Sequence, residues 1–180
     1  TLVRGTLAAP LVVIDRDDLP AINSPNFGLL DRARAYFKRE LPTDRWRVFT
    51  KTAHPNLPTP RFRSDPRYAA RIGRLHPISL GLRYDRIPHL VRDDRPKSVD
   101  VFFAGLADAN STVRARGIAQ LRQLAGEGLR IDIPDRVLSF GEFFERCARA
   151  WLCWSPEGLG WDCFRHYEAA ACGSVPLISQ

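Results

Sequence analysis

Short apolar runs and segments of helical spacing alternate regularly in the second half of the chain. The apolar runs predict four strands, over residues 99–104, 129–133, 151–154 and 175–178. Between these strands, apolar residues recur every three or four positions, which is the spacing of a helix that buries one face. The alternation predicts an α/β fold, a Rossmann-like parallel sheet with helices on both faces.

Capping signals predict where those helices begin and end. Asn110 or Ser111 is expected to cap the first helix, and Ser139-Phe-Gly-Glu142 has the spacing of a capping box. A third helix is predicted to begin near Asp162. Gly173 follows that helix, and we expect it to adopt the left-handed conformation that commonly ends helices.

The first sixty residues also show alternating patterns. The apolar run Leu11–Asp15 predicts a buried parallel strand whose polar end lies at a crevice. Apolar residues at helical spacing predict a helix over residues 26–41, ended by Pro42. Residues 46–50 predict a further strand.

Residues 53–98 contain seven prolines and show no amphipathic period, apart from a short strand expected within residues 76–81. This composition is typical of an irregular connector. We therefore expect the end of one α/β domain in residues 1–60, a connector in 61–98 and an incomplete second α/β domain in 99–180. The chain has no methionine and ends directly after an apolar strand, so we expect a fragment truncated at both ends.

The positive charge of the chain is unevenly distributed. Of the net +7, residues 61–98 carry ten basic and four acidic side chains, whereas residues 99–180 carry eight and ten. The basic connector could face an anionic membrane surface or a phosphorylated acceptor, or could simply be solvated. A nucleic-acid interface would place basic residues among aromatic ones on one face, and the best-organised segment is instead acidic. We therefore expect no nucleic-acid partner.

Several other classes are disfavoured by the composition. No apolar run approaches the roughly 18 residues that cross a bilayer, so we expect a cytoplasmic protein, peripheral to the membrane at most. The four cysteines form no Cys-x-x-Cys pair, so we expect free buried thiols and no metal cofactor.

The strongest candidate chemistry lies near the end of the chain. A loop containing Gly158 and Gly160 follows an apolar strand and leads into the third predicted helix. The free N–H groups and the dipole of such a helix start favour an anion such as a diphosphate. Arg165 and Glu168 add a cation for phosphate and a carboxylate that can accept hydrogen bonds from a sugar diol. An ordinary i,i+3 salt bridge is the alternative explanation for this pair.

Residues 165–176 read Arg-His-Tyr-Glu-Ala-Ala-Ala-Cys-Gly-Ser-Val-Pro. This segment resembles the donor-binding region of GT-B glycosyltransferases, closest to their exostosin-like and spore-maturation-like branch (glycosyl transferases group 1). The motif of that branch is Arg-x-x-Glu-Ala, small residues, Cys or Gly, and then Val-Pro. Many GT-B enzymes carry two glutamates eight positions apart, whereas Glu157 and Glu168 are eleven apart here.

The resemblance implies that residues 1–60 belong to the acceptor side and residues 99–180 to the donor side of a two-domain enzyme. In such enzymes the loop after the first donor-side strand approaches the donor phosphates. The corresponding loop here contains Gly105, which is expected to lie close to the phosphates. The donor-site candidates are Gly105, Gly158, Gly160, Arg165 and Glu168, with Arg114, Glu157 and His166 as weaker ones. Plain solvent-exposed helix residues are the alternative for Arg114 and His166.

The implied reaction transfers a sugar from a nucleotide-diphosphate donor to a carbohydrate, lipid-linked or protein acceptor, with no metal ion. Arg165 and helix N-termini would stabilise the leaving diphosphate. Asp15, Asp17 and Asp18 could include the base for the acceptor hydroxyl, or could simply cap the end of a strand. The alternative function is a non-catalytic GT-B-like module for binding or assembly at a bacterial cell surface or spore coat.

Overall fold

The computed structural model describes residues 9–49, 69–91, 96–105, 112–158 and 160–178. The chain divides into two compact units, Thr1–Ser79 and Leu80–Gln180. The boundary falls inside the segment that was expected to be a connector. The predicted caps Asn110 and Ser111 lie outside the described residues.

The first unit has a three-stranded parallel sheet with the order β1-β2-β3. Its strands are β1 (Leu11–Asp15), β2 (Ala33–Lys38) and β3 (Leu75–Pro77). Its helices are α1 (Phe27–Arg32) and the short α2 (Ala69–Ile72), with 3-10 turns at Ser24–Asn26 and Arg45–Phe49. Leu30, Tyr36, Val48 and Phe49 are among its fully buried residues. The predicted parallel strand at Leu11–Asp15 is confirmed, but its predicted burial is wrong, because Val12 is 53% exposed and Ile14 is 60% exposed.

The helix predicted over residues 26–41 is wrong beyond Arg32, where the chain continues as β2. Ala33, Tyr36 and Lys38 are buried in this strand. Ala33 and Tyr36 are three positions apart, as on one face of a helix, whereas Tyr36 and Lys38 are two apart, as on one face of a strand. Because β2 lies between β1 and β3, its backbone is hydrogen-bonded on both sides. This pairing, together with the aromatic side chains of the strand, outweighs its helical spacing.

The strand predicted over residues 46–50 is also wrong in the part that is described. Residues Arg45–Phe49 form a 3-10 helix, and Asp44 begins it by accepting hydrogen bonds from the backbone N–H groups of Trp46 and Arg47. A single turn suffices to bury Val48 and Phe49. The apolar residues therefore reflect burial of a turn, not a sheet.

The second unit has a four-stranded parallel sheet with the order β5-β4-β6-β7. Its strands are β4 (Val99–Phe102), β5 (Ile131–Asp132), β6 (Ala150–Ser155) and β7 (Val175–Ile178). Its helices are α3 (Thr112–Gly126), α4 (Phe140–Ala148) and α5 (Phe164–Ala171), with a 3-10 helix at Tyr84–His89. The predicted α/β fold with parallel strands is confirmed.

Helices cover the two faces of this second sheet. Phe102 of β4 packs with residues of α4 and α5, whereas its neighbours Val101 and Phe103 pack with Leu121 of α3. This division follows from the alternation of side chains along a strand. Ser139 and Glu142 form the predicted capping box at the start of α4, and Gly173 has the expected positive φ of 73°.

The strand order also creates a crevice. From β4 the chain crosses to one side to form β5 and then returns to the other side to form β6. The connections that leave β4 and β6 therefore diverge at the carboxyl edge of the sheet. Crevices at such points are the usual ligand sites of open parallel sheets.

Candidate functional site

A cleft of about 470 Å³ lies at the carboxyl ends of β4 and β5. Part of its wall is apolar and includes Ile118, Ile133, Leu138 and Phe143. Its charged lining consists of Arg86, Arg122, Arg136, Arg165, Asp135 and Glu168. We call this cavity the arginine cleft. Its combination of an apolar wall and converging charged groups is typical of small-molecule sites.

Arg165 lies in the first turn of α5 and reaches across to the end of β4. Its Nη2 atom donates a hydrogen bond of 2.5 Å to the carbonyl oxygen of Ala104. The guanidinium lies over the ring of Phe103, 5.4 Å from the ring centroid. These two contacts fix the cation at the carboxyl edge of the sheet.

Gly105 also lines the arginine cleft and leaves room for this arrangement. A Cβ atom at position 105 would lie 3.0 Å from Cζ of Phe103 and 3.3 Å from Nη2 of Arg165. Such contacts are tighter than ordinary packing permits without a shift of the neighbours. The absence of a side chain at Gly105 therefore allows Arg165 and Phe103 to approach the loop.

Glu168 lines the arginine cleft and is 2% exposed. It accepts a hydrogen bond from Nη1 of Arg86, with which it forms an ion pair. Among the described residues, Glu168 and Arg165 form no salt bridge with each other. The i,i+3 pair that the sequence suggested as an alternative is therefore replaced by a contact with a residue 82 positions away.

Sequence reasoning missed Arg86 as a site residue. This arginine belongs to the 3-10 helix Tyr84–His89, and its guanidinium lies 4.8 Å from the ring centroid of Phe140 and 5.5 Å from that of Phe164. The sequence signal was the basic surplus of the Pro-rich segment, which carries no spacing that points to one arginine. Only the fold brings this segment against α5.

The glycine loop after β6 lies on the same edge of the sheet as Gly105, because β4 and β6 are neighbouring parallel strands. The N–H of Gly158 donates a 2.9 Å hydrogen bond to the carbonyl of Gly160, which holds these two glycines together. A Cβ atom at Gly158 would lie 3.6 Å from Nη2 of Arg114. Gly158, Gly160 and Arg114 are not part of the lining of the arginine cleft.

The two other weak candidates also lie outside the lining of the cleft. Nε2 of His166 is 3.1 Å from the carbonyl oxygen of Ser155, and Nδ1 is 3.9 Å from Oδ1 of Asp162. These contacts hold the imidazole against the loop after β6. Glu157 is partly buried in that loop.

Asp15, at the end of β1, is engaged within the first unit. Its carboxylate accepts a 2.7 Å hydrogen bond from the hydroxyl of Tyr36 and a 3.0 Å bond from the N–H of Asp17. Nζ of the fully buried Lys38 lies 3.6 Å away. Burial lowers the pKa of Lys38, and burial together with the bond to Asp15 raises the pKa of Tyr36.

Asp17 and Asp18 also have hydrogen-bond or ion-pair partners within the first unit. Asp17 accepts from the N–H of Leu19 at 3.2 Å, and its backbone carbonyl accepts from Lys38 at 3.0 Å. Asp18 forms an ion pair with Arg39. We call Asp15, Asp17, Asp18, Lys38 and Arg39 the aspartate network.

Among the residues that the structure describes, no group of three or more His, Cys, Asp or Glu side chains is placed to hold a metal ion. All four cysteines are free, and Cys147, Cys153 and Cys172 are buried in the core beneath α4 and α5. In the same ranges, no helix combines the length and the apolar character needed to cross a bilayer.

The fold and the cleft define an α/β protein with a Rossmann-like parallel sheet and a basic crevice at its carboxyl edge. The chain matches no protein-family model, and no curated protein matches it. Its function must therefore be inferred from the chemistry of the arginine cleft.

Proposed function

We propose that the protein is a GT-B-type glycosyltransferase that binds a nucleotide-diphosphate sugar in the arginine cleft and transfers the sugar to an acceptor hydroxyl. The observation that carries the proposal is the convergence of Gly105, Arg165 and Glu168 on one cleft at the carboxyl edge of the second sheet. Gly105 follows β4, whereas Arg165 and Glu168 lie on α5. The position after a strand suggested Gly105 as a donor ligand, and the sequence motif suggested the other two.

The size and the lining of the cleft support a ligand of this class. A volume of about 470 Å³ lies within the range of small-molecule sites. The apolar wall formed by Leu138 and Phe143 suits a flat nucleobase, whereas Arg165 suits a phosphate, to which a guanidinium can donate two parallel hydrogen bonds. A nucleoside diphosphate presents both kinds of group.

The proposed mechanism uses Arg165 as an electrostatic group. As the bond between the sugar and the diphosphate breaks, negative charge builds up on the leaving oxygen. Arg165 is held in place by Ala104 and Phe103 before the reaction, so it stabilises that charge without reorganising. Glu168 would accept hydrogen bonds from ribose or sugar hydroxyls.

A non-catalytic binding or assembly module is the second candidate, and the aspartate network favours it. Asp15, Asp17 and Asp18 were the candidates for the base that activates the acceptor, and each already accepts hydrogen bonds or pairs with a cation inside the first unit. A module without such a base would bind the donor and transfer nothing.

Calorimetric titration of uridine, guanosine, adenosine and thymidine diphosphates into the full chain tests the proposed donor site. We expect one of them to bind, and Arg165→Gln to weaken it by about tenfold or more, because a charged hydrogen bond contributes roughly 1.5–3 kcal/mol. Arg130→Gln is the matched control, because it removes one charge and one ion pair outside the cleft. Equal affinities of wild type and Arg165→Gln would refute the site.

Mass spectrometry of the corresponding nucleotide sugars after incubation with the protein separates the two candidates. An enzyme should hydrolyse its donor slowly in the absence of an acceptor and transfer the sugar in its presence. A binding module should leave every donor intact while still binding it.

A further inference from the structure

The ion pair between Arg86 and Glu168 occupies the carboxylate that the proposed donor site requires. The side chain of Glu168 is 3% exposed and that of Arg86 is 19% exposed. A carboxylate at this depth needs a partner, because an unpaired buried charge is strongly unfavourable. Arg86 is therefore the partner that makes the burial of Glu168 possible.

Arg86 has hydrogen-bonding capacity beyond this pair. A guanidinium has five N–H donors, and among the described residues Arg86 uses Nη1 on Glu168 while its buried Nε has no partner. Its plane also lies over the rings of Phe140 and Phe164. Ring contacts of this kind hold a guanidinium near one position while leaving its hydrogen-bond partner open to exchange.

The charges around Arg86 favour an incoming anion. Four arginines line the arginine cleft against two carboxylates, Asp135 and Glu168. Arg136 is paired with Glu142, whereas Arg122 is exposed and has no ion-pair partner within the described ranges. A diphosphate brings more negative charge than one carboxylate, so it competes well for a guanidinium already inside the cleft.

The backbone that carries Arg86 is tied down on both sides. The N–H of Leu80 donates a 2.8 Å hydrogen bond to Oδ2 of Asp162, just before α5. Leu90 and Val91 pack against the core beneath α4 and α5. An exchange of partners by Arg86 would therefore involve its side chain and not a displacement of the segment.

We propose that the Arg86–Glu168 pair is the resting state of an exchange driven by the ligand. A diphosphate that enters the arginine cleft takes Arg86 as its partner, and the freed Glu168 carboxylate then accepts hydrogen bonds from the diol of the ribose or sugar. The second half of this inference rests on the proposed function. The exchange makes phosphate recognition a condition for diol recognition, so a nucleoside without phosphates cannot use Glu168.

Titration of inorganic pyrophosphate into the full-length chain isolates the anion step, because this probe has no diol. Glu168→Gln removes the charge that competes for Arg86, so we expect pyrophosphate to bind about tenfold more tightly than in wild type. Arg86→Gln removes the ligand of the anion, so we expect binding to weaken about tenfold. The double variant should bind no more tightly than Arg86→Gln.

A purely structural ion pair predicts a different pattern. In that case both single variants lose stability, and their pyrophosphate affinities match that of the control Arg130→Gln. That result would overturn the exchange. Thermal melts followed by circular dichroism identify variants that fail to fold, and Glu168→Gln keeps an acceptor oxygen for Arg86. If Arg86→Gln does not fold, the pyrophosphate affinity of Glu168→Gln alone still decides whether the exchange occurs.

A parallel titration with uridine diphosphate distinguishes failure of the exchange from failure of the proposed function. Wild-type binding of this nucleotide without a gain of pyrophosphate affinity in Glu168→Gln would retain the donor site and refute the exchange. A different result would refute the donor site and retain an anion exchange at Arg86. In that case pyrophosphate binds more tightly to Glu168→Gln and more weakly to Arg86→Gln, and no nucleoside diphosphate binds.

Discussion

The two sheets of this protein both end their strands among charged residues, with opposite results. In the first unit, Lys38 lies close to Asp15 and Arg39 pairs with Asp18, so both cations of the aspartate network already have partners. In the second unit, arginines outnumber carboxylates around an open cavity of about 470 Å³. The carboxyl edge of a parallel sheet is thus a favourable position for a site, but open space and a surplus of positive charge decide whether an anionic ligand can use it.

The two carboxyl edges differ because different residues lie at the ends of their strands. The central strand β2 brings the fully buried Lys38 next to Asp15, and a buried ammonium requires such a partner. In the second unit, β4 is followed by Gly105, which contributes no side chain to fill the edge. One edge is therefore closed by its own ion pairs and the other stays open.

Breaking the aspartate network should have the largest effect on stability. Lys38→Met keeps the length of the side chain but leaves the partly buried carboxylate of Asp15 without its cation. We expect the free energy of unfolding to fall by about 3 kcal/mol, as is typical when one partner of a buried pair is removed. Urea unfolding followed by circular dichroism measures the change.

Arg130→Gln breaks an exposed pair with Asp100 and serves as the control for Lys38→Met, with an expected loss below about 1 kcal/mol. We also expect Lys38→Met to leave the affinity for nucleoside diphosphates unchanged. A loss no larger than that of the control would show that the aspartate network is not the structural element we describe.

A packing defect beneath the arginine cleft tests how strongly the second edge depends on its support. A Cβ atom at Gly117 of α3 would lie 2.1 Å from Cη2 of Trp154, whose ring is 4.5 Å from that of Phe103 under Arg165. We expect Gly117→Ala to reduce stability by about 1–3 kcal/mol through overpacking and to weaken anion binding. Thermal melts and pyrophosphate titration measure the two effects.

Gly126→Ala, at the end of the same helix, is the matched control, because a Cβ atom at Gly126 meets nothing within 4 Å. Alanine favours a helix over glycine, so this change should not destabilise the protein. Equal stability of the two variants would mean that the ring of Trp154 moves aside at no cost in stability and does not support Phe103 and Arg165.

The smallest expected effect concerns the start of α4 beside the cleft. Bonds from Arg136 and Ser139 lower the pKa of Glu142 from the ordinary 4.5 to about 2. Because the unfolded chain binds this proton more readily, the pair stabilises the protein above pH 4.5 and loses that contribution as the pH falls toward 2. Melting temperatures at pH 7 and pH 3 should therefore differ less in Glu142→Gln than in wild type.

Ser139→Ala provides a reference for this prediction, because it removes the cap bond that the Ser139 hydroxyl accepts from the N–H of Glu142, at a cost of about 1 kcal/mol at any pH, and keeps the ion pair of Glu142 with Arg136. Its loss of stability should be present at both pH values. Equal pH dependence of wild type and Glu142→Gln would mean that the ion pair with Arg136 contributes nothing.

Local signals were sufficient to predict much of the second unit. The capping box at Ser139, the left-handed Gly173 and the alternation of strands with helices each depend on residues a few positions apart. The strand β2 was missed because Ala33 and Phe37 continue the helical spacing of Phe27 and Leu30. Its pairing with β1 and β3, which no local pattern reveals, decides the outcome.

The candidate site was predictable to a similar extent. Gly105, Arg165 and Glu168 were found from strand ends and from the motif, and the structure brings all three to one cleft. The pairing of Glu168 with Arg86 was not predictable, because the two residues are 82 positions apart and no sequence spacing relates them. The same holds for the partners of Asp15 and Asp18, which are contributed by a neighbouring strand and its end.

The most direct test of this account is a titration of the full-length protein with uridine diphosphate, or with whichever nucleoside diphosphate binds best, followed by amide correlation spectra. We predict saturable shifts of the amide signals of Gly105, Phe140 and Glu168 around the arginine cleft, with those of Asp15 and Lys38 unchanged. Saturable shifts confined to Asp15 and Lys38, or none at either edge with all four nucleotides, would contradict the account.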